Sequence, residues 1–177
     1  ASDIFSKIGN CAIEFKYDGL RLQVHYKKIK NQKSHSTNSG QAKIKMFSRN
    51  LEDITVMFPD IEKAVIEQMR ADEVIFEGEV VAYNPKTGVF VPFQETMQRK
   101  RKYDIERMAR DFPVEMNVFD IIYHNGKNLI SEPFESRRKL LEKIIRQKPK
   151  KIVLSRFIRT SDKKEIDGLA QKTGSRY

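Results

Sequence analysis

The stretch best equipped for chemistry is Glu14-Phe15-Lys16-Tyr17-Asp18-Gly19-Leu20-Arg21. Its lysine stands two residues before Asp-Gly, a turn dipeptide. The apolar Cys11-Ala12-Ile13 leads in, and a strand-like run, Leu20 to Lys28, leads out. This spacing predicts a lysine at the mouth of a turn between two buried strands. A lysine amine attacks only when neutral, and at a reference pKa of about 10.4 roughly four in ten thousand are neutral at pH 7. Burial and a neighbouring cation both lower that pKa, and Arg21 is the cation that the spacing offers. Glu77 and Glu79 fall on one strand face with one residue between them. Carboxylates that close repel unless a cation or donor sits there; magnesium would answer that. Arg49 follows a strand end, and Phe119 lies near a strand centre. The run Arg99-Lys100-Arg101-Lys102 suits phosphate-backbone contact without sequence readout. Each also has a plainer reading: a solvated charge for Arg49, a core ring for Phe119, a solvated face for 99–102.

The elements that must position these groups follow from periodicity. Leu20, Leu22, Val24 and Tyr26 alternate with Arg21, Gln23, His25 and Lys27, the pattern of a half-buried strand. Ile29 to Ala42 is polar and reads as an exposed loop. Lys43 to Ser48 is a second strand, so the two form a hairpin across that loop. Pro59 opens a helix with Ile61, Ala64, Val65 and Met69 inward. Val74 to Tyr83 is a strand carrying Glu77 and Glu79. Pro92 to Arg99 and Tyr103 to Arg110 read as short helices. Pro113 to His124 is a strand, closed by the Asn125-Gly126 turn. Phe134 to Arg146 is an amphipathic helix, Lys151 to Ile158 a last strand, and Ser161-Asp162 caps a terminal helix beginning near Lys163. Strands and helices mix without βαβ alternation, which predicts an α+β domain with largely antiparallel sheets and flanking helices.

The 177 residues suffice for one packed domain. A net charge of +10 gives a field that attracts polyanions, although it is also what a solubility bias produces. The single cysteine, Cys11, excludes an internal disulfide, and three histidines with one cysteine cannot build a zinc site. No apolar run approaches the ~20 residues of a membrane helix, so no membrane partner is expected.

Lys16 to Arg21 fits K-x-D-G-x-R in full, and here the sequence resembles the adenylation (nucleotidyltransferase) domain of ATP-dependent DNA ligases, of the archaeal and eukaryotic replicative type. RNA ligases and mRNA capping enzymes are relatives. Ser48-Arg49-Asn50-Leu51-Glu52 resembles the ligase S-R-x-x-E segment. Phe76-Glu77-Gly78-Glu79-Val80-Val81-Ala82 looks like motif III, and Val118-Phe119-Asp120-Ile121-Ile122-Tyr123 like motif IIIa. Pro92-Phe93-Gln94, the 99–102 run, Asn125-Gly126 and Ser136-Arg137-Arg138-Lys139-Leu140-Leu141 extend the likeness over nearly the whole chain. The resemblance implies an ATP-grasp-like nucleotidyltransferase fold with Lys16 attacking the ATP α-phosphate to form lysyl-AMP. It implies Arg21 on ribose or phosphate, Glu14 beside adenine, Arg49 near the phosphates, Glu79 on ribose and Mg2+, and Phe119 stacked on adenine. Implied partners are ATP and nicked double-stranded DNA, with nick sealing serving replication, repair and recombination. A monomer is expected inside the cell, cytoplasmic in a prokaryote and nuclear in a eukaryote. The alternatives are an RNA ligase, a GTP-using capping enzyme or a non-catalytic DNA-binding fragment.

Beyond Ile158 the sequence departs from the pattern. Asp167-Gly168-Leu169-Ala170-Gln171-Lys172 resembles motif IV only superficially, with Asp in place of Glu. Motif V, the OB-fold domain and an N-terminal DNA-binding domain have no counterpart in the sequence. The expectation is an adenylation domain over 1–177, incomplete at its C-terminus and weak or inactive in nick sealing by itself.

Overall fold

The computed structural model describes residues 7, 11–29, 42–100, 103–160 and 165. Strands β2 (Leu20–Lys28) and β3 (Ala42–Phe47) form the expected hairpin, Tyr26 opposite Ile44 and Val24 opposite Met46. On its other side β2 pairs antiparallel with β4 (Glu73–Ala82), and β4 pairs antiparallel with β5 (Val114–His124). The short β6 (Lys127–Asn128) and β7 (Ile152–Leu154) both line the far side of β5, and β7 runs parallel to it. The six-stranded sheet therefore runs β3-β2-β4-β5-β6, with β7 beside β5. Antiparallel pairing dominates, as expected.

Helix α1 (Pro59–Gln68) starts on its proline and carries Asp60 and Glu62 in the first turn, where the helix dipole favours acids. Ile61, Ala64 and Val65 face the sheet. Gln68 is buried too, and its amide donates to the carbonyls of Arg146 and Ile152 at 2.7 and 2.8 Å. This fastens α1 to β7 and to the end of α4 (Phe134–Ile144). Among the described residues there are also two small helices, α2 (Phe93–Thr96) and α3 (Ile105–Asp111), with a 3₁₀ turn at Met97–Lys100 between them. The core lies between the sheet and α1 and α4: Leu22, Val24, Met46, Phe76, Val80, Met116, Val118, Ile121 and Leu141 are all fully buried. Each such side chain stabilises the fold by about 1.5–3 kcal/mol relative to exposure.

The sequence reading of one strand from Lys151 to Ile158 is corrected. The chain breaks at Ser155-Arg156. Residues Ile152–Leu154 join the large sheet, while β8 (Phe157–Thr160) pairs with β1 (Cys11–Glu14) in a separate two-stranded sheet. Periodicity cannot see this, because both halves are short and apolar. The terminal helix and the motif IV-like stretch 167–172 lie outside the described residues, as does most of the loop after β2.

Candidate active site

The lysine segment runs between the two sheets. From Ala12 to Asp18 burial alternates: Ala12, Glu14, Lys16 and Asp18 are exposed, and Ile13, Phe15 and Tyr17 are half-buried. An extended chain produces this pattern, since successive side chains take opposite sides. The Phe15 N–H donates to the Arg156 carbonyl at 3.3 Å, continuing the β1–β8 pairing. Lys16 thus stands on the exposed side with Glu14 and Asp18. The buried surroundings expected for it are absent. β1 is a half-exposed ribbon strand, and only β2 is a core strand.

Gly19 explains itself by contact. A Cβ there would lie 2.3 Å from the Val80 carbonyl oxygen. Only glycine lets the turn press against β4, and that closeness brings the Gly19 N–H toward the Glu79 carboxylate. Burial pushes the Glu79 carboxyl up from its ordinary value; the Gly19 N–H and the Arg21 charge pull it back, and Asp18 adds to the rise.

Arg21 and Glu79 are direct cross-strand partners, but the guanidinium reaches diagonally to Glu77, with Nη2 2.5 Å from Oε2. Gln23 Nε2 donates to the other Glu77 oxygen at 3.1 Å, and the Gln23 carbonyl oxygen lies 2.8 Å from His25 Nε2. Because Gln23 spends its amide on Glu77, its oxygen must accept, which assigns the proton to His25 Nε2. The cation needed beside the two carboxylates is therefore Arg21. Magnesium is not required to relieve Glu77, whose oxygens are both occupied.

Phe119 stands at a bulge in β5. Glu77 pairs with Asp120 and Gly78 with Val118, so Phe119 is an extra residue in β5. Strict alternation would put Val118 and Asp120 on the same face. The insertion instead returns the core face at Ile121, leaving Phe119 and Asp120 both out of the core. Gly78 permits it, since a Cβ there would sit 2.9 Å from the Asn117 carbonyl oxygen. The Arg21 guanidinium lies 5.7 Å from the Phe119 ring centre, and Asp120 is clamped by Arg137 at 2.7 and 3.1 Å.

Glu14 accepts from the Ser155 hydroxyl at 2.7 Å, with Arg138 Nη1 3.9 Å away. Arg138 itself lies over the Phe157 ring at 4.7 Å. The sheet-to-sheet crossing at Ser155 is thus what seats Glu14. Arg49 is exposed on a turn closed by Leu51 N–H to Ser48 O at 2.9 Å and by Ser48 N–H to Glu52 O at 3.0 Å.

The basic run divides. Arg99 is 1 % exposed. Its guanidinium donates to both Asp60 oxygens and to the carbonyls of Met57 and Phe112, and it stacks on Phe58. The expectation that Arg99 contacts DNA is corrected, because a residue enclosed in this way has no surface to offer. Lys100 stays partly exposed and pairs with Glu52 at 2.6 Å. Arg101 and Lys102 lie outside the described residues. Sequence reasoning missed Gln23, Ser155, Arg138 and Asn117; only the polar alternation of β2 hinted at Gln23.

The fold and this arrangement define a domain of the nucleotidyltransferase class. The chain belongs to the ATP-dependent DNA ligase domain family, whose model matches residues 1–176. It is 43% identical over 170 residues to a probable DNA ligase of Dictyoglomus turgidum, covering 96% of this chain and 27% of that protein. It is 44% identical over 165 residues to a DNA ligase of Nanoarchaeum equitans, covering 92% and 27%. The chain spans about a quarter of the length of these curated relatives. Among solved structures, mycobacterial DNA ligase D complexed with ATP and MES is similar at a TM-score of 0.60 and 21% identity, covering 93% of this chain and 45% of that one. The ligase domain of M. tuberculosis LigD gives a TM-score of 0.62 at 22% identity, covering 95% and 46%. At those identities the two share the fold. No helix among the described residues is long and apolar enough to cross a membrane.

Proposed function

We propose that this chain is the lysine-adenylating part of an ATP-dependent DNA ligase. The observation that carries the reading is the shared geometry of the lysine turn and the sheet face. Lys16 stands exposed beside a turn whose Gly19 presses against β4 next to Glu79, and Arg21 is braced by Glu77 close to the Phe119 ring. In the reaction the neutral Lys16 amine attacks the α-phosphorus of ATP. A phosphorus–nitrogen bond forms and the bond to the bridging oxygen breaks. Pyrophosphate leaves with the electron pair, and the amine proton passes to solvent. Phe119 stacks on adenine, Glu14 borders it, Arg21 and Glu79 hold the ribose end, and Arg49 approaches the phosphates. Glu79 fits a role in holding Mg2+, since magnesium takes one or two carboxylates and fills its shell with phosphate oxygens and water. When bound, the ion would neutralise charge on the departing pyrophosphate. The AMP then passes from Lys16 to a DNA 5′-phosphate, and the 3′-OH attacks that phosphate, losing its proton and expelling AMP as the nick closes, wherever the cell keeps its DNA. Lys100 is the described member of the basic run that remains a DNA contact.

The test is mass spectrometry after incubation with Mg2+ and either ATP or GTP. One AMP on the Lys16 peptide, none with Lys16→Ala and no GMP, is the expected result. Label retained at another residue in Lys16→Ala would refute the assignment. Preferential GMP transfer would make the chain a capping-type enzyme. Because the chain corresponds to a quarter of its relatives, we expect it to seal nicked duplex far more slowly than a full-length ligase.

A further inference from the structure

Asn117 lies on β5 directly opposite Glu79 on β4. Directly paired residues of antiparallel strands share a face, with Cβ atoms about 4.5–5.5 Å apart. Its neighbour on the other side is Val153, which has no polar side-chain atom. Asn117 is 2 % exposed, and its Nδ2 has no hydrogen-bond partner. Among the described residues the only other such atom is Arg99 Nε, whose guanidinium makes four other hydrogen bonds. Buried amides without partners are costly and rare, so one that persists in a fold calls for an acceptor from outside it. Two residues further along β5 is Phe119, beside the Arg21 guanidinium. The uncommitted amide therefore sits between the carboxylate and the aromatic ring of the candidate site.

We infer that Asn117 is a specificity residue for the sugar, its Nδ2 donating to one ribose hydroxyl oxygen while the Glu79 carboxylate accepts from the adjacent hydroxyl. The inference rests on the adenylation reading above. A vicinal diol offers both donors and acceptors, and an amide beside a carboxylate presents the complementary pair. A site built to hydrogen-bond a hydroxyl rejects an analogue lacking it, because its own polar group is then left buried and unpaired. The amide is covered in the free chain, so nucleotide entry must displace what covers it.

The experiment measures equilibrium binding of ATP, 2′-deoxyATP and 3′-deoxyATP to the 177-residue chain and to Asn117→Val, together with nucleotide-free melting. The parent chain is expected to prefer ATP over one deoxy analogue by roughly 10-fold. Asn117→Val is expected to bind ATP roughly 5–10-fold more weakly and to lose that preference. Its melting temperature without nucleotide should equal or exceed that of the parent, since the change removes an unpaired buried amide. Asn117→Ala serves as a second variant if the valine overpacks. Undiminished discrimination in a folded variant overturns the role of Asn117 and leaves the adenylation reading standing. So does a variant that loses stability and ATP affinity together while keeping its sugar preference. Failure of the parent chain to bind any adenosine nucleotide overturns both.

Discussion

Replacing Arg99 distinguishes an arginine that holds the fold from one that holds DNA. Its guanidinium makes four hydrogen bonds: 2.6 and 3.1 Å to the two Asp60 oxygens, 2.9 Å to Met57 O and 3.2 Å to Phe112 O. It also lies 5.1 Å from the Phe58 ring centre. The side chain is fully buried, whereas that of Asp60 is 30% exposed. Breaking a buried pair costs about 3–5 kcal/mol because the abandoned charge loses its partner. Here Asp60 can regain water, so the lower end applies, about 3 kcal/mol for Arg99→Ala. For a domain of this size that lowers the melting temperature by roughly 6–12 °C. Arg99→Lys should fall in between, because an ammonium cannot supply the planar fork. The assay is thermal melting of the three proteins, with binding to nicked duplex measured well below their transitions. A variant that melts within about 2 °C of the parent while losing DNA affinity would refute the structural account.

Two further changes probe the site and its support. Glu77→Gln removes the brace on Arg21; since Arg21 is 44% exposed, stability should drop by under about 1 kcal/mol. Lysyl-AMP formation should nonetheless slow by roughly 10–100-fold from misplacement of the guanidinium, and single-turnover labelling with the melting curve checks both. Glu67 is held down from 4.5 to about 2 by Lys151 first and Lys148 second. Its folded value lies below its unfolded one, so its contribution is present above pH 4.5 and is lost as pH falls toward 2. Melting across pH 2–6 should show a shallower acid slope for Glu67→Gln, and an unchanged slope would count against the pair.

Most of the scaffold was readable from the chain alone. Alternation fixes β2, because only a strand separates Leu22, Val24 and Tyr26 from Arg21, Gln23 and His25. Pro59 and the stripe after it fix α1, and the K-x-D-G-x-R spacing singles out Lys16. These are local effects, set by dihedral preference and by period. What the chain could not decide is where residues far apart in sequence meet. Arg99 looks like its basic neighbours, yet the fold encloses it against Asp60, 39 positions away. Glu77 reads as one of two close carboxylates in need of a cation or donor, and only the pairing of β2 with β4 supplies Arg21 and Gln23. Asp120 leaves the core only because β5 gains a residue between Val118 and Asp120. Lys151 to Ile158 reads as one strand, but two sheets divide it at Ser155, and that division supplies the hydroxyl for Glu14. Pairing register, bulges and crossings between sheets follow from the packing of the whole chain, which no local pattern encodes.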